Sequence, residues 1–286
     1  MKDMIYYLLL LCSPLFGCCQ SVAQKQYNLK SKTPDAILFS AVTCLIALAF
    51  FALISRLKLD FDARLWPYSL GFALCYSSAW VGTVYAVRYG PIALSSLIIS
   101  LALIFPAAYG VMLGERVTVL TALGFALLVG SLVLVNLKFD GRQALSGRWL
   151  KWVLIAFLGN GGCMIMSNMQ KRHLGEGYAH EFMIIALAVS FVILMAVSAA
   201  RNRGFGAELK RCLPFAAVNG TANALLNLII LTLIGHIPNT ILYPTNAALG
   251  MLFTFVLAWF LYGERFTKTQ YIGYAMGVAS VVLLNL

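Results

Sequence analysis

Polar side chains recur at helical spacing in two of the most apolar stretches of the chain. One stretch carries three asparagines four residues apart: Asn219, Asn223 and Asn227. The other, 147 residues earlier, carries three rings at the same spacing: Phe72, Tyr76 and Trp80. Residues four apart lie on one face of a helix. Amides on one wall and rings on another predict a pocket that encloses an organic solute and hydrogen-bonds one end of it.

Further polar side chains lie inside neighbouring apolar stretches, where a polar group is costly unless it faces another helix or water. We predict a substrate-binding set that combines both groups: Gln20, Tyr76, Trp80, Ser96, Asn160, Asn223, Asn227, Tyr243 and Asn246. The alternative is that such groups only join helices, each bond contributing about 0.6 kcal/mol. For a single residue this alternative stays open, whereas the shared face of each stripe favours the pocket.

A second group of residues is predicted to affect the shape and packing of the helices that contain them. Pro106 lacks a backbone donor, so we expect it to kink its helix and to act as a hinge. Asn160 is followed by Gly161 and Gly162. Paired glycines beside an amide either loosen a helix and expose its carbonyl groups or allow a second helix to approach closely, and both interpretations stay open.

The tripeptide Gly-Glu-Arg occurs twice, beginning at Gly114 and at Gly263. We interpret it as structural. Each glycine ends the preceding helix, and Glu115 and Glu264 lie at helix ends. The threonine that follows caps the next helix, and Thr267 begins a capping box.

Ionisable residues are missing from the middle of the apolar stretches. All ten Asp and Glu lie at segment ends or in loops, whereas a proton-coupled exporter of cations usually needs a buried carboxylate. We therefore predict a neutral, zwitterionic or weakly charged substrate. The seven cysteines form no CxxC pair, and His173, His180 and His236 lie in loops or at a helix end. We predict no metal, no cofactor and no enzyme activity.

The composition requires lipid around these segments. Hydrophobic residues make up 61%, charged residues 11%, and the mean hydropathy is +0.86, far from a soluble domain. We predict an all-α membrane protein with ten spans: 4–24, 35–56, 66–87, 91–113, 117–137, 149–169, 180–200, 212–234, 239–262 and 269–286. The net charge of +11 is scattered over the loops. This indicates lipid headgroups as partners and argues against nucleic acid.

The chain contains an internal duplication. Residues 114–137 and 263–286 are identical at 12 of 24 positions. The end of span 1 recurs at 167–171, so we expect span 1 to be a helix and not a removed signal. Because each half has five spans, the repeats must be inverted. We predict a first repeat at 1–137, a linker at 138–148 and a second repeat at 149–286.

The distribution of polar residues predicts which spans face inward. Spans 1, 3, 4, 6, 8 and 9 carry polar residues and should surround the interior. Spans 2, 5, 7 and 10 carry almost none, and spans 2 and 7 are apolar all round, as helices that face lipid would be. Gly273 and Gly277 in span 10 form a GxxxG match. This motif predicts close contact either with span 5 or with a second protomer, so a monomer and a homodimer both stay open.

At this point the chain resembles the ten-helix EamA type of the drug/metabolite transporter superfamily. The resemblance covers the whole chain and rests on YGVMLGER (109–116), on AWFLYGER (258–265) and on the glycine-bearing last helix of each half. It implies a central cavity between the halves, with spans 5 and 10 outside. Many members carry a proline thirteen residues before this Glu, where the chain has Ala102 and Met251. The family's cytoplasmic termini also disagree with the Lys and Arg distribution.

The leading hypothesis is a multi-pass secondary transporter of the cell membrane (plasma or inner). It would move a small neutral or zwitterionic metabolite, such as an amino acid-like solute, by alternating access through a cavity between the repeats. The alternative is a flippase for a lipid-linked sugar or headgroup, which would need a lateral opening between helices.

Overall fold

The computed structural model of the chain consists of helices joined by short connections. It describes residues 2–31, 34–56, 60–136, 146–201, 205–263 and 265–286. The helices are α1 (Lys2–Lys30), α2 (Ala36–Ile54), α3 (Trp66–Tyr89), α4 (Ile92–Ser100), α5 (Ile104–Met112), α6 (Val119–Asn136), α7 (Gly147–Leu174), α8 (Ala179–Arg201), α9 (Phe205–Leu233), α10 (Asn239–Tyr262) and α11 (Lys268–Leu284).

The described helices confirm an all-α membrane protein. Nine segments in the described part of the chain are long and apolar enough to cross a bilayer. Helices α4 and α5 form one of these segments, and α11, with 17 residues, completes the predicted ten. Because each of these segments crosses the bilayer, successive spans alternate in direction, and α4 and α5 count as one span. One face of the molecule therefore holds the ends of α5, α7 and α9 (the Glu115 face), and the other holds the end of α6 (the Asn136 face).

The contact between α6 and α11 displays the symmetry of the repeats. Ser131 Oγ donates to the carbonyl oxygen of Gly273 at 2.6 Å, and Ser280 Oγ donates to that of Gly124 at 2.8 Å. Each residue of one bond is 149 positions from its counterpart in the other. A pair of antiparallel helices related by a two-fold axis in the membrane plane has this property. The predicted linker lies mostly outside the described residues, and the predicted repeat boundaries stay predictions.

The GxxxG segment of α11 makes its contacts inside the chain. A Cβ added at Gly273 would lie 3.1 Å from Leu134 Cβ, and one at Gly277 would lie 3.1 Å from Ser131 Oγ. Of the two predicted partners, span 5 is therefore the one found. Helices α6 and α11 also keep exposed apolar side chains, including Val119 and Ile272, in agreement with their predicted position next to lipid.

Helices α3 and α7 approach each other most closely at glycines. A Cβ at Gly159 would lie 2.6 Å from the carbonyl oxygen of Cys75 and 2.7 Å from the backbone nitrogen of Ala79. Gly161 and Gly162 similarly face Phe105 and Cys75. Because α7 runs unbroken through these glycines, their surroundings favour the close-packing interpretation over the helix-loosening one.

The predicted placement of spans 2 and 7 in lipid is wrong in part. More than half of α2 is buried. Phe51 of α2 and Leu187 and Leu194 of α8 belong to the largest apolar core. An apolar surface suits a neighbouring helix as well as it suits lipid, so apolarity alone does not distinguish the two environments.

Pro106 accompanies a change of helix type. The turn Leu101–Leu103 is a 3-10 helix that separates α4 from α5. Since Pro106 has no N–H, the carbonyl of Ala102 has no donor four residues ahead, and the regular ladder cannot continue there. The predicted interruption of span 4 is present, and its action as a hinge stays a prediction.

Candidate functional site

Two cavities of similar size follow one another along α7 and α10. The Glu115-side cavity has a volume of about 540 Å³, and the Asn136-side cavity has a volume of about 530 Å³. Polar residues of the first are Glu115, Asn168, Lys171, Arg172, His236 and Asn239. Polar residues of the second are Ser100, Asn136, Asn160, Tyr243, Asn246, Thr254 and Tyr274.

One face of α7 contributes to both cavities. Asn160 and Met164 line the Asn136-side cavity, and Asn168 lines the Glu115-side cavity. These residues are four apart, so their side chains follow each other along one face of the helix. The predicted site included Asn160 but missed Asn168, although its distance of eight residues from Asn160 was the signal that could have identified it.

One face of α10 also contributes to both cavities. Asn239 lines the Glu115-side cavity, and Tyr243, Ala247 and Met251 line the other. The spacing is again four residues. Together α7 and α10 therefore provide a track that passes both cavities, with a polar side chain at four of these seven positions: Asn160, Asn168, Asn239 and Tyr243.

A side-chain hydrogen bond crosses this track between the cavities. Asn168 Nδ2 donates to the hydroxyl oxygen of Tyr243 at 2.8 Å and to its own helix at the Met164 carbonyl, also at 2.8 Å. Asn168 is 2% exposed and Tyr243 is 6% exposed. Because Asn168 borders one cavity and Tyr243 borders the other, their hydrogen bond forms part of the partition.

The Asn136-side cavity offers both a hydrogen-bond acceptor and a donor. Asn160 Nδ2 donates to the Ala156 carbonyl at 3.1 Å, and Asn246 Oδ1 accepts from Ser13 Oγ at 2.7 Å. Among the described residues, no partner is found for Asn160 Oδ1 or Asn246 Nδ2. The remaining wall is uncharged and largely apolar. This cavity can hold a solute that has polar atoms at one end and carbon at the other.

The predicted amide stripe connects α1 to α9. Asn219 Nδ2 donates to the Gln20 carbonyl at 2.9 Å, and Asn223 Nδ2 donates to Gln20 Oε1 at 3.1 Å. Asn227 Nδ2 donates back to the Asn223 carbonyl at 2.8 Å. These amides therefore hydrogen-bond one another and join α1 to α9. This is the helix-joining role that the sequence analysis kept as the alternative to a solute site.

The predicted aromatic stripe packs beside these amides. Phe72 stacks on Tyr76 with ring centroids 5.7 Å apart, and Trp80 meets Tyr76 at 6.4 Å. The Tyr76 hydroxyl lies near Asn223, but it is buried without a hydrogen-bond partner among the residues that the structure describes. The two predicted walls therefore do come together.

The predicted set divides into two locations. Asn160, Tyr243 and Asn246 line the Asn136-side cavity. The other six predicted residues line neither of the two cavities: Gln20, Tyr76, Trp80, Ser96, Asn223 and Asn227. Ser96 is half-buried on α4.

Glu115 holds the first turn of α10. Its Oε1 accepts from the backbone and side-chain nitrogens of Asn239 at 2.8 and 3.0 Å. Its Oε2 accepts from the backbone nitrogen and the hydroxyl of Thr240 at 2.9 and 3.0 Å. A carboxylate at a helix N-terminus satisfies free N–H groups and complements the helix dipole. The sequence predicted a structural role for Glu115 but not this partner in the other half of the chain.

The glycines of the repeated tripeptide have the predicted conformation. Gly114 has φ +83° and Gly263 has φ +60°, the left-handed region that ends helices. Thr267 accepts from the Gln270 backbone nitrogen in a complete capping box. Glu264 lies outside the described residues.

Comparison with known proteins agrees with this architecture. Residues 4–137 match the model of the EamA-like transporter family. A solved crystal structure of a protein aligns over 98% of this chain and 98% of its own, with a TM-score of 0.75 at 15% identity. This likeness shows the fold. No curated protein sequence matches the chain. Residues 4–137 are therefore similar to the EamA-like transporter family, in agreement with the resemblance that the Gly-Glu-Arg segments predicted.

Proposed function

We propose that this protein is a secondary transporter of the cell membrane, plasma or inner, which moves a small neutral or zwitterionic organic solute by alternating access. The observation that carries the proposal is the pair of cavities that follow one another along α7 and α10, separated at Asn168 and Tyr243. A transporter needs a solute site that opens to one face while a barrier closes it from the other.

The walls of the Asn136-side cavity favour an uncharged or internally neutralised solute. Among the described residues, the ionisable groups in its lining are two tyrosines, Tyr243 and Tyr274. A solute with a net charge would lose its hydration there without gaining a counter-ion, which is strongly unfavourable. The volume of about 530 Å³ lies within the range of small-molecule sites.

Proteoliposomes loaded against a gradient test this function. The probes are an amino acid, nucleoside, sugar and quaternary amine panel, together with a labelled lipid to detect flippase activity. We expect gradient-dependent flux of at least one soluble probe and no movement of the lipid. Lipid movement without solute flux would favour the flippase, and the absence of both would contradict the proposal.

A matched pair of variants locates the site. Asn160→Leu removes the cavity-facing acceptor, and losing one solute hydrogen bond should lower flux about tenfold at low solute concentration. Thr221→Val is the control, because Thr221 also bonds its own helix, at the Ala217 carbonyl, but on an exposed face of α9. Equal flux in the two variants would remove Asn160 from the solute site.

A thermal-shift screen of the purified protein identifies the solute. A solute present at one hundred times its dissociation constant stabilises the folded state by about 2.7 kcal/mol. We expect the shift in the parent chain to shrink in Asn160→Leu and to persist in Thr221→Val.

A further inference from the structure

We propose that Tyr243 and Asn168 form the gate between the two cavities, and that the solute opens this gate by accepting a hydrogen bond from the Tyr243 hydroxyl. The proposal deepens the transport function above and rests on it for the solute. It assigns a solute class: molecules that carry a hydrogen-bond acceptor, such as a carbonyl or carboxylate oxygen, at the leading end.

The position of the two side chains supports a gate. They come from different helices, both are buried, and each borders a different cavity. Met164 of α7 and Met251 of α10 both line the Asn136-side cavity. A solute that moves past them toward the Glu115 face meets Tyr243 first. To pass, it must separate Tyr243 from Asn168.

The hydrogen bonding of this pair leaves capacity for a solute. Tyr243 accepts a hydrogen bond from Asn168, while no acceptor for its own proton is found among the described residues. Asn168 uses only its Nδ2, on Met164 and Tyr243, so Oδ1 keeps its capacity to accept. An acceptor on the solute can accept the Tyr243 hydroxyl proton before the bond between Asn168 and Tyr243 breaks. The Tyr243 hydroxyl then keeps a hydrogen-bond partner throughout, which avoids the cost of an unpaired buried polar group.

The α10 backbone permits the required movement. Pro244 follows Tyr243 inside the helix and cannot donate to the carbonyl of Thr240, which weakens the helix at this turn. The first turn itself is fixed, because Glu115 holds Asn239 and Thr240. Tyr243 lies between the anchored residues and Pro244, in the turn where the helix ladder is interrupted, so this turn can adjust locally while the N-terminus stays anchored.

Cysteine labelling tests the gate without any solute. The cysteines are replaced, one cysteine is introduced by Ala247→Cys on the wall of the Asn136-side cavity, and a membrane-impermeant maleimide is applied from each face. Marker variants Arg116→Cys and Lys268→Cys, at exposed positions near opposite faces, report the orientation. With the gate intact, we expect the position-247 cysteine to react from the Asn136 face only.

Removing the gate should admit the reagent from the other face. Tyr243→Ala should raise the labelling rate from the Glu115 face at least tenfold, and Tyr243→Phe, which keeps the ring and loses the hydroxyl, should raise it less. Tyr274→Ala is the matched control, because the same ring is removed from another part of the cavity wall, and no change is expected. An unchanged rate in Tyr243→Ala would overturn the gate.

Solute addition tests the hydroxyl. A transported probe from the panel should increase labelling from the Glu115 face in the parent chain and not in Tyr243→Phe. An equal increase in both would overturn the role of the hydroxyl. If labelling reveals the gate but no probe is transported, the transport function fails and the partition stands. If probes are transported and Tyr243→Ala admits no reagent, transport stands and the gate fails.

Discussion

Replacing Glu115 with glutamine tests how one half of the chain holds the other. The two carboxylate oxygens accept four hydrogen bonds of 2.8–3.0 Å from Asn239 and Thr240, at the start of α10. Glutamine has the same length, but its NH₂ group replaces one oxygen. If the NH₂ group turns toward Thr240, the Thr240 hydroxyl can rotate and accept from it, and the Thr240 backbone N–H loses its acceptor. If it turns toward Asn239, the Asn239 backbone N–H loses its acceptor.

The expected cost follows from these bonds. A hydrogen bond to a charged group contributes about 1.5–3 kcal/mol, so the loss of one backbone bond costs about that much, and the remaining bonds, now to a neutral amide, together weaken by about 1.5 kcal/mol. Glu115 lines an open cavity, and water there can recover part of this energy. Loss of the charge at the helix N-terminus adds about 0.5 kcal/mol. We expect a net loss of about 3 kcal/mol, or a melting temperature about 6 °C lower for a chain of this size.

Thermal unfolding in detergent measures this loss against a neighbouring control. Arg116→Gln also removes a charge in the same loop, but Arg116 is exposed, and its melting temperature should change by less than about 1 °C. A double-mutant cycle with Thr240→Val isolates the contact. Because the valine variant already lacks one bond to Oε2, the additional cost of Glu115→Gln should fall by about 1 kcal/mol. A Glu115→Gln variant that melts with the parent, or a strictly additive cycle, would refute this account of the anchor.

Three further predictions follow from the packing. Ser131→Ala and Ser280→Ala should each lower the unfolding free energy by about 1 kcal/mol, because the two hydroxyls make symmetry-related bonds. The two losses, measured by thermal unfolding, should agree within about 0.5 kcal/mol. Clearly unequal losses would contradict the symmetry. Gly159→Ala should cost about 2 kcal/mol or more through backbone overlap, whereas Gly147→Ala, with open space around it, should be neutral or stabilising in the same assay. Tyr76→Phe removes a buried hydroxyl without a partner and should leave the melting temperature unchanged or higher; a flux loss in this stable variant would place the hydroxyl on the solute's path.

The sequence predicted the scaffold well because its signals are local. Apolar length predicts spans, glycine and threonine around each Gly-Glu-Arg predict helix ends, and five spans per half predict inversion. The contacts of Glu115 with Asn239 could not be predicted, since they join segments more than a hundred residues apart. Apolarity also failed to distinguish lipid from a packed neighbour at α2, since both environments exclude polar groups for the same reason.

The site was harder to predict because amides have two uses inside a membrane. Asn223 and Asn160 are the same residue type in similarly apolar helices, yet Asn223 is bonded to Gln20 of another helix and Asn160 bonds only its own helix and faces a cavity. What separates them is whether a second polar side chain lies within reach on a neighbouring helix. Residue type and spacing do not contain that information, so a stripe of amides predicts an interior face without deciding whether the face is filled.

The two repeats share a scaffold but not a gate. At the offsets that align the halves, Asn168 corresponds to Val22 and Tyr243 corresponds to Ser96, and valine cannot make the Asn168–Tyr243 hydrogen bond. If the protein alternates by exchanging the conformations of its halves, the mirrored state closes without this bond. One net hydrogen bond of about 1 kcal/mol then favours the observed state roughly fivefold. Tyr243→Phe should remove this preference. The effect would appear as more equal labelling of the position-247 cysteine from the two faces, in a chain whose symmetric contacts between α6 and α11 are untouched.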